Sequence, residues 1–104
     1  MTKKNSVTNV NITFKNTDAT ESLKSYADEK ISRCAGKFTQ DNAEIHVVLS
    51  VEKKRQIAEA SFNHLGSSIS ASEESEDMYK SIDLLVDTLA TQLRKQKERI
   101  TSHH

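Results

Sequence analysis

The chain has 104 residues, enough for one domain and too few for a second hydrophobic core. Fifteen Lys and Arg balance fifteen Asp and Glu, which excludes a uniformly polybasic binder but leaves room for a basic face offset by an acidic one. Hydrophobic residues make up only 35% and aromatics 5%, so nearly every patterned apolar side chain must serve the core.

Residues 1–6 are expected to form a flexible lead, 7–100 a single domain and 101–104 a frayed tail. Val10, Ile12 and Phe14 alternate with Asn11 and Thr13, the period of a strand with one buried face. Asn16-Thr17-Asp18 supplies turn and cap side chains, with Glu21 three residues after Asp18. Leu23, Ala27, Ile31, Cys34 and Phe38 then recur at three- and four-residue steps. They predict an amphipathic helix ending near Gly36, where glycine accepts a left-handed cap. Ile45, Val47, Leu49 and Val51 alternate again, and Ala58, Ala60 and Phe62 resume the period beyond Lys53-Lys54-Arg55. Residues 43–64 are therefore a predicted hairpin with a basic turn. Gly66-Ser67-Ser68 makes the next turn, and Ile69 and Ala71 supply a short fourth strand. From about Ser75 the period becomes helical through Met78, Ile82, Leu85, Val86, Leu89, Leu93 and Ile100. That helix would have about 25 residues and a length of roughly 37 Å.

The order β-α-β-β-β-α predicts an α+β domain, a four-stranded mixed sheet with two helices packed on one face. A right-handed crossover makes the first two strands parallel neighbours. The other face keeps Asn11, Thr13, His46, Ser50, Ser61 and Asn63 in water. The expected core is Ile12, Phe14, Leu23, Ile31, Ile45, Val47, Leu49, Phe62, Ile82, Val86, Leu89 and Leu93, with Leu84 more exposed than Leu85.

Positions set at about 100° per residue put Lys30, Arg33 and Lys37 within about 60° of one another, with Tyr26 among them. Glu21 and Asp28 lie on the opposite flank, with Lys24 near enough to pair with them. Residues 73–87 hold Glu73, Glu74, Glu76, Asp77, Asp83 and Asp87 against Lys80 alone. Residues 88–104 hold Arg94, Lys95, Lys97 and Arg99 against Glu98. Acid early and base late suits the helix dipole, and a solvated face with weak ion pairs accounts for the other stripe. If tertiary packing brings the helix end, the stripe and the Lys53-Lys54-Arg55 turn together, they make a phosphate-binding surface.

No feature asks for an enzyme, a metal or a cofactor. His46 reads as an exposed strand residue, and His64 continues the inward phase of Ala60 and Phe62 as a half-buried one. His103 and His104 lack a third ligand. A glycine-rich phosphate loop, G-x-S-x-G and H-E-x-x-H are all absent. Cys34, the one cysteine, lies on the apolar stripe, rules out an internal disulfide and fits a reducing, cytoplasmic setting. Glu73-Glu74 reads as acid at a helix start. No apolar run approaches the roughly 18 residues of a membrane span, and the opening MTKKNSVTNVN lacks a signal-peptide core.

Ala71-Ser72, Asp77-Met78-Tyr79, Ile82-Asp83, Leu89, Gln92-Leu93 and Lys95-x-Lys97, in that order, resemble the ribosome hibernation promoting factor family. Its members are also called ribosome-associated inhibitor A-like or sigma-54 modulation proteins. Asn11-Ile12-Thr13, Lys30, Phe38 and Val51-Glu52-Lys53 fit as well, so the resemblance spans about residues 8–100. It implies a fold related to double-stranded-RNA-binding domains and binding to the small ribosomal subunit, in the channel for messenger and transfer RNA. The partners implied are 16S rRNA with neighbouring ribosomal proteins, and a ribosome modulation factor that helps form inactive ribosome dimers. Off the ribosome the chain is expected to be a monomer. By position, Lys24, Lys30 and Arg33 of the first helix and Lys95, Lys97 and Arg99 of the last would face RNA. Lys37, Arg94 and the Lys53, Lys54, Arg55 turn join them on charge. Relatives often carry further basic residues where this chain has Thr88 and Thr91. The chain resembles the short form of the family, without a second domain or an acidic tail. The alternative name suggests a different role, a protein-interaction module modulating sigma-54-dependent transcription.

Overall fold

Val10, Ile12 and Phe14 build the first strand, β1 (Thr8–Lys15), and the alternation from Ile45 to Val51 builds β2 (Ala43–Glu52). The two run parallel, with Val10 opposite Ile45, Ile12 opposite Val47 and Phe14 opposite Leu49. All these side chains therefore share one face. Between the strands runs the first helix, α1 (Glu21–Gly36). The hairpin partner β3 (Arg55–His64) sets Ala58 opposite Leu49 and Ala60 opposite Val47. β4 (Ser67–Ser75) pairs antiparallel with β3, and α2 (Met78–Thr101) follows it. The sheet order is β1-β2-β3-β4, with both helices packed into one core on one face, as the period changes predict.

A computed structural model describes residues 8–37, 43–64 and 66–101. The expectations for residues 1–6, for Phe38 and for the tail beyond Thr101 with His103 and His104 lie outside these residues. So do those for the side chains of His64, Lys97, Arg99 and Ile100.

The ends of the elements differ in places from the sequence reading. Thr20, not Asp18, caps α1: its backbone is extended (φ −103°, ψ 148°) and its hydroxyl accepts the Leu23 N–H at 3.2 Å. Asp18 stands two residues too early for that geometry. Asn16 instead takes a left-handed turn (φ 58°) between β1 and α1. The helix does end at Gly36, yet the left-handed glycine among the described residues is Gly66 (φ 80°), in the β3–β4 turn. The α1 terminus closes through the Lys37 N–H on the Cys34 carbonyl at 3.2 Å. β4 is longer than expected, nine residues, and it contains Glu73 and Glu74. Its inward positions after Ala71 are Glu73 and Ser75, so the apolar signal stops before the strand does. α2 begins at Met78, where the Asp77 carboxylate accepts the Tyr79 N–H at 3.0 Å.

Ile31, Ile45, Val47, Leu49, Phe62, Ile82, Leu89 and Leu93 are buried as expected. Ile12, Phe14, Leu23 and Val86 are half-buried, because they lie at the margin of the helix layer. Ser81 is fully buried and donates to the Gln56 carbonyl at 2.6 Å, pinning the start of α2 to β3. On the open sheet face Asn11, Thr13, His46, Ser61 and Asn63 are exposed, but Ser50 is buried. It stands opposite Ile57, an apolar residue of the same face that is 7% exposed. Leu85 is fully buried and Leu84 only partly, which fixes the phase of α2. Leu85→Ala is expected to cost about 2–5 kcal/mol in urea unfolding, and Leu84→Ala distinctly less. Equal losses would contradict that phase.

Candidate nucleic-acid interface

Strand directions decide which charges meet. β1 and β2 are parallel, so α1 must start at the end of the sheet where β2 turns into β3 and finish at the other. β4 ends beside Gln56, at that same hairpin end, so α2 also starts there. The contacts bear this out. Near the hairpin Ser81 meets Gln56. Further along, Thr88 donates to Glu73 at 2.6 Å, and the Gln92 amide donates to the Ser70 carbonyl at 2.9 Å. The two helices therefore run parallel, and their basic C-terminal halves lie side by side at the end away from the hairpin.

Between those halves is an open groove of about 370 Å³. Lys30 and Arg33 of α1, Lys37 just past its end and Arg94 of α2 form its cationic walls, joined by one carboxylate, Asp87. Cys34, Val86 and Ala90 supply its apolar lining. Nearer the hairpin a cluster holds the helices together. The Tyr26 hydroxyl donates to Asp83 at 2.6 Å, its ring meets Tyr79 edge-on at 5.0 Å, and the Lys30 ammonium lies 5.4 Å from that ring's centre. The hydrogen bond to Asp83 raises the Tyr26 pKa above its ordinary value, keeping the phenol neutral. Arg33 is paired with Glu29 at 2.9 Å, an exposed i,i+4 pair that water screens and a stronger anion displaces. Lys95 lies round the flank of α2, in a second depression with Ser67, Ser68, Gln92 and Gln96.

The other predicted cations stand apart. Lys24 is in the first turns of α1, about 20 Å from Lys37 at 1.5 Å per residue. No pair joins it to Glu21 or Asp28 among the described residues; the Asp28 carboxylate accepts from Ser32 at 3.0 Å. The Lys53-Lys54 turn caps the opposite end of the sheet, about 30 Å away along β2 at roughly 3.3 Å per residue. Lys53 itself adopts φ 60°, which a tight hairpin turn needs. Arg55 binds Glu74 through two nitrogens at 2.6 and 2.9 Å, with Glu52 at 3.4 Å. The three basic groups thus do not converge: the two helices share a surface and the hairpin turn lies away from it. Sequence spacing missed both the Tyr26–Asp83 link and the place of Asp87, since each depends on how α1 registers against α2.

Cys34 is buried, its thiol 3.7 Å from the Val86 carbonyl, and burial raises its pKa although Lys37 opposes the shift. Among the described residues no group of His, Cys, Asp and Glu could hold a metal ion, and no helix is long and apolar enough to cross a membrane.

A family profile described as sigma 54 modulation protein / S30EA ribosomal protein matches residues 10–101. The chain belongs to that family. It is similar to a ribosome hibernation promoting factor from Klebsiella oxytoca, 39% identical over 90% of this chain and 98% of that one. One from Azotobacter vinelandii is 42% identical over 86% and 83%. Among solved structures, a ribosomal subunit interface protein from Coxiella burnetii superposes with a TM-score of 0.75 at 33% identity, covering 86% of this chain and 97% of that one. The N-terminal domain of Thermus thermophilus Protein Y gives 0.76 at 27%, covering 84% and 97%. Both share the family fold.

Within this member of the family, the Arg55–Glu74 pair gives a pH signature. Hydrogen bonds from Arg55 hold the Glu74 carboxyl below its ordinary value of 4.5. The stability it lends is present above that value and is lost as the pH falls through the depressed one. Glu74→Gln should lower the melting temperature slightly at neutral pH, and the gap to the wild type should close in strong acid. A gap that widens in acid would contradict the pairing.

Proposed function

We propose that this protein is a ribosome hibernation factor that binds the small ribosomal subunit through the cationic end of its two helices. The carrying observation is the groove where Lys30, Arg33, Lys37 and Arg94 meet. The names and identities of its relatives support the same reading. In this proposal Lys95, and by resemblance to the family Lys97 and Arg99, also contact 16S rRNA, with neighbouring ribosomal proteins beside it. Lys24, Lys53, Lys54 and Arg55 stand away from the groove. The mechanism is occupancy: the domain holds RNA phosphates, fills the channel for messenger and transfer RNA, and makes or breaks no bond. Binding of this kind releases counterions and weakens steeply with salt. Shape and phosphate contacts count for more than base reading in structured RNA. With a ribosome modulation factor, the complex favours inactive ribosome dimers in the cytoplasm. A module acting on sigma-54-dependent transcription, the other role in the family's description, would leave the groove's cations unused.

Sedimentation of a lysate at low and high salt tests the reading. The protein should travel with small subunits at low salt and leave them at high salt; absence from ribosomal fractions at low salt would sink it. Lys30→Glu with Arg33→Glu should weaken that association and flatten its salt dependence, with a cooperative melt of the variant showing that the fold is kept. Glu21→Lys with Asp28→Lys, on the other flank, should weaken it far less. If both double variants behave alike, the surface has no side.

A further inference from the structure

We infer that the groove between α1 and α2 takes one unstacked nucleotide of single-stranded RNA and holds guanine better than the other bases. This rests on the RNA-binding reading above. A surface that served only duplex phosphates would need cations and nothing else. The groove also has an apolar lining, from Cys34, Val86 and Ala90. The Cys34 thiol is already directed to the Val86 carbonyl, so that lining offers carbon surface and a satisfied polar group to a flat ring. Ala90 ends at Cβ and leaves room above it. At about 370 Å³ the space falls in the range of small-ligand sites, about 300–1,000 Å³. Arg94, and Arg33 once released from Glu29, would supply guanidinium groups on which a base can stack, while Lys30 and Lys37 hold the flanking phosphates.

Asp87 chooses the base. A carboxylate among four cations weakens phosphate binding, so phosphate contact alone gives it no role. Its side chain has no hydrogen-bond or ion-pair partner among the described residues; beyond the helix's own backbone bonds, its carbonyl accepts from the Thr91 hydroxyl at 3.0 Å. It lies close enough to Cys34 for its charge to be felt at the thiol. A carboxylate has two acceptor oxygens and no donor. Guanine matches it with two N–H groups side by side, at N1 and N2. Adenine and cytosine offer one donor beside an acceptor, and uracil one donor between two carbonyls.

Fluorescence anisotropy on the full chain tests this, using single-stranded RNA of about eight nucleotides in a uridine background. The central position is guanosine, adenosine or an abasic ribose. Guanosine should bind about tenfold tighter than either alternative, the size of a good bidentate contact. Asp87→Asn should abolish the preference and tighten binding of the abasic RNA, since a negative charge has left the groove. Ala90→Leu should lower guanosine binding to the abasic level. Should Ala90→Leu fail to melt cooperatively, Asp87→Asn decides alone. Equal, salt-sensitive binding of all three RNAs would overturn the base site and leave the phosphate reading standing. Absence of binding to any RNA, together with absence from ribosomes, would overturn both.

Discussion

The parallel pairing of β1 with β2 is the constraint from which the cationic end of the molecule follows. Parallel neighbours cannot be joined by a tight turn, so the chain must cross over the sheet, and α1 is that crossing. Once α1 is laid against the strands in that direction, the two antiparallel turns that follow return the chain to the same end before α2 begins. Two helices separated by three strands thereby start together and run side by side. Had β2 paired antiparallel with β1, α1 would have pointed the other way, and Lys37 would lie far from Arg94. The cationic groove is a product of topology before it is a product of charge.

That arrangement has an electrostatic cost which the same residues offset. Both helices direct the negative ends of their dipoles to one side of the domain, each worth about half an elementary charge. An anionic ligand would meet repulsion there. Arg33 near the end of α1, with Arg94 and Lys95 well along α2, reverses the sign locally. Arg33 lies in the last turn of α1 and offsets its dipole directly, whereas Arg94 and Lys95 stand more than a turn before the end of α2 and act on the groove by their own charge. Net charge conceals this, because Glu73, Glu74, Glu76 and Asp77 sit near the hairpin end of the sheet and balance the total.

Most of the fold is legible in the sequence because its two faces are chemically distinct. Ile45, Val47 and Leu49 against Ala58, Ala60 and Phe62 could form little else than a hairpin with one buried face. The reading falls short where burial and apolarity part company. Glu73 and Ser75 face the helices but are polar, so β4 looks short; each is engaged there by a hydroxyl of α2, Thr88 and Ser81 respectively. Ile57 is buried on the open face beside Ser50, a position no alternation predicts. The stripe of Lys30, Arg33 and Lys37 is visible at helical spacing, whereas its meeting with Arg94 and Asp87 depends on long-range register. The hairpin turn is the converse case: a conspicuous basic cluster in the sequence that geometry places at the other end of the sheet from the groove.

The groove is shared between residues 30–37 and 86–94, with the whole hairpin and β4 between them in the chain. Synthesis proceeds from the N-terminus, so α1 and the strands are made while α2 is still missing. In that interval Phe62 and Ile69 lack the helix that packs over β3 and β4, and the three cations of α1 have no facing wall. A growing chain therefore carries basic side chains but no assembled groove. On the proposed function, a nascent copy cannot yet hold ribosomal RNA in the groove, and that capacity arrives only with α2.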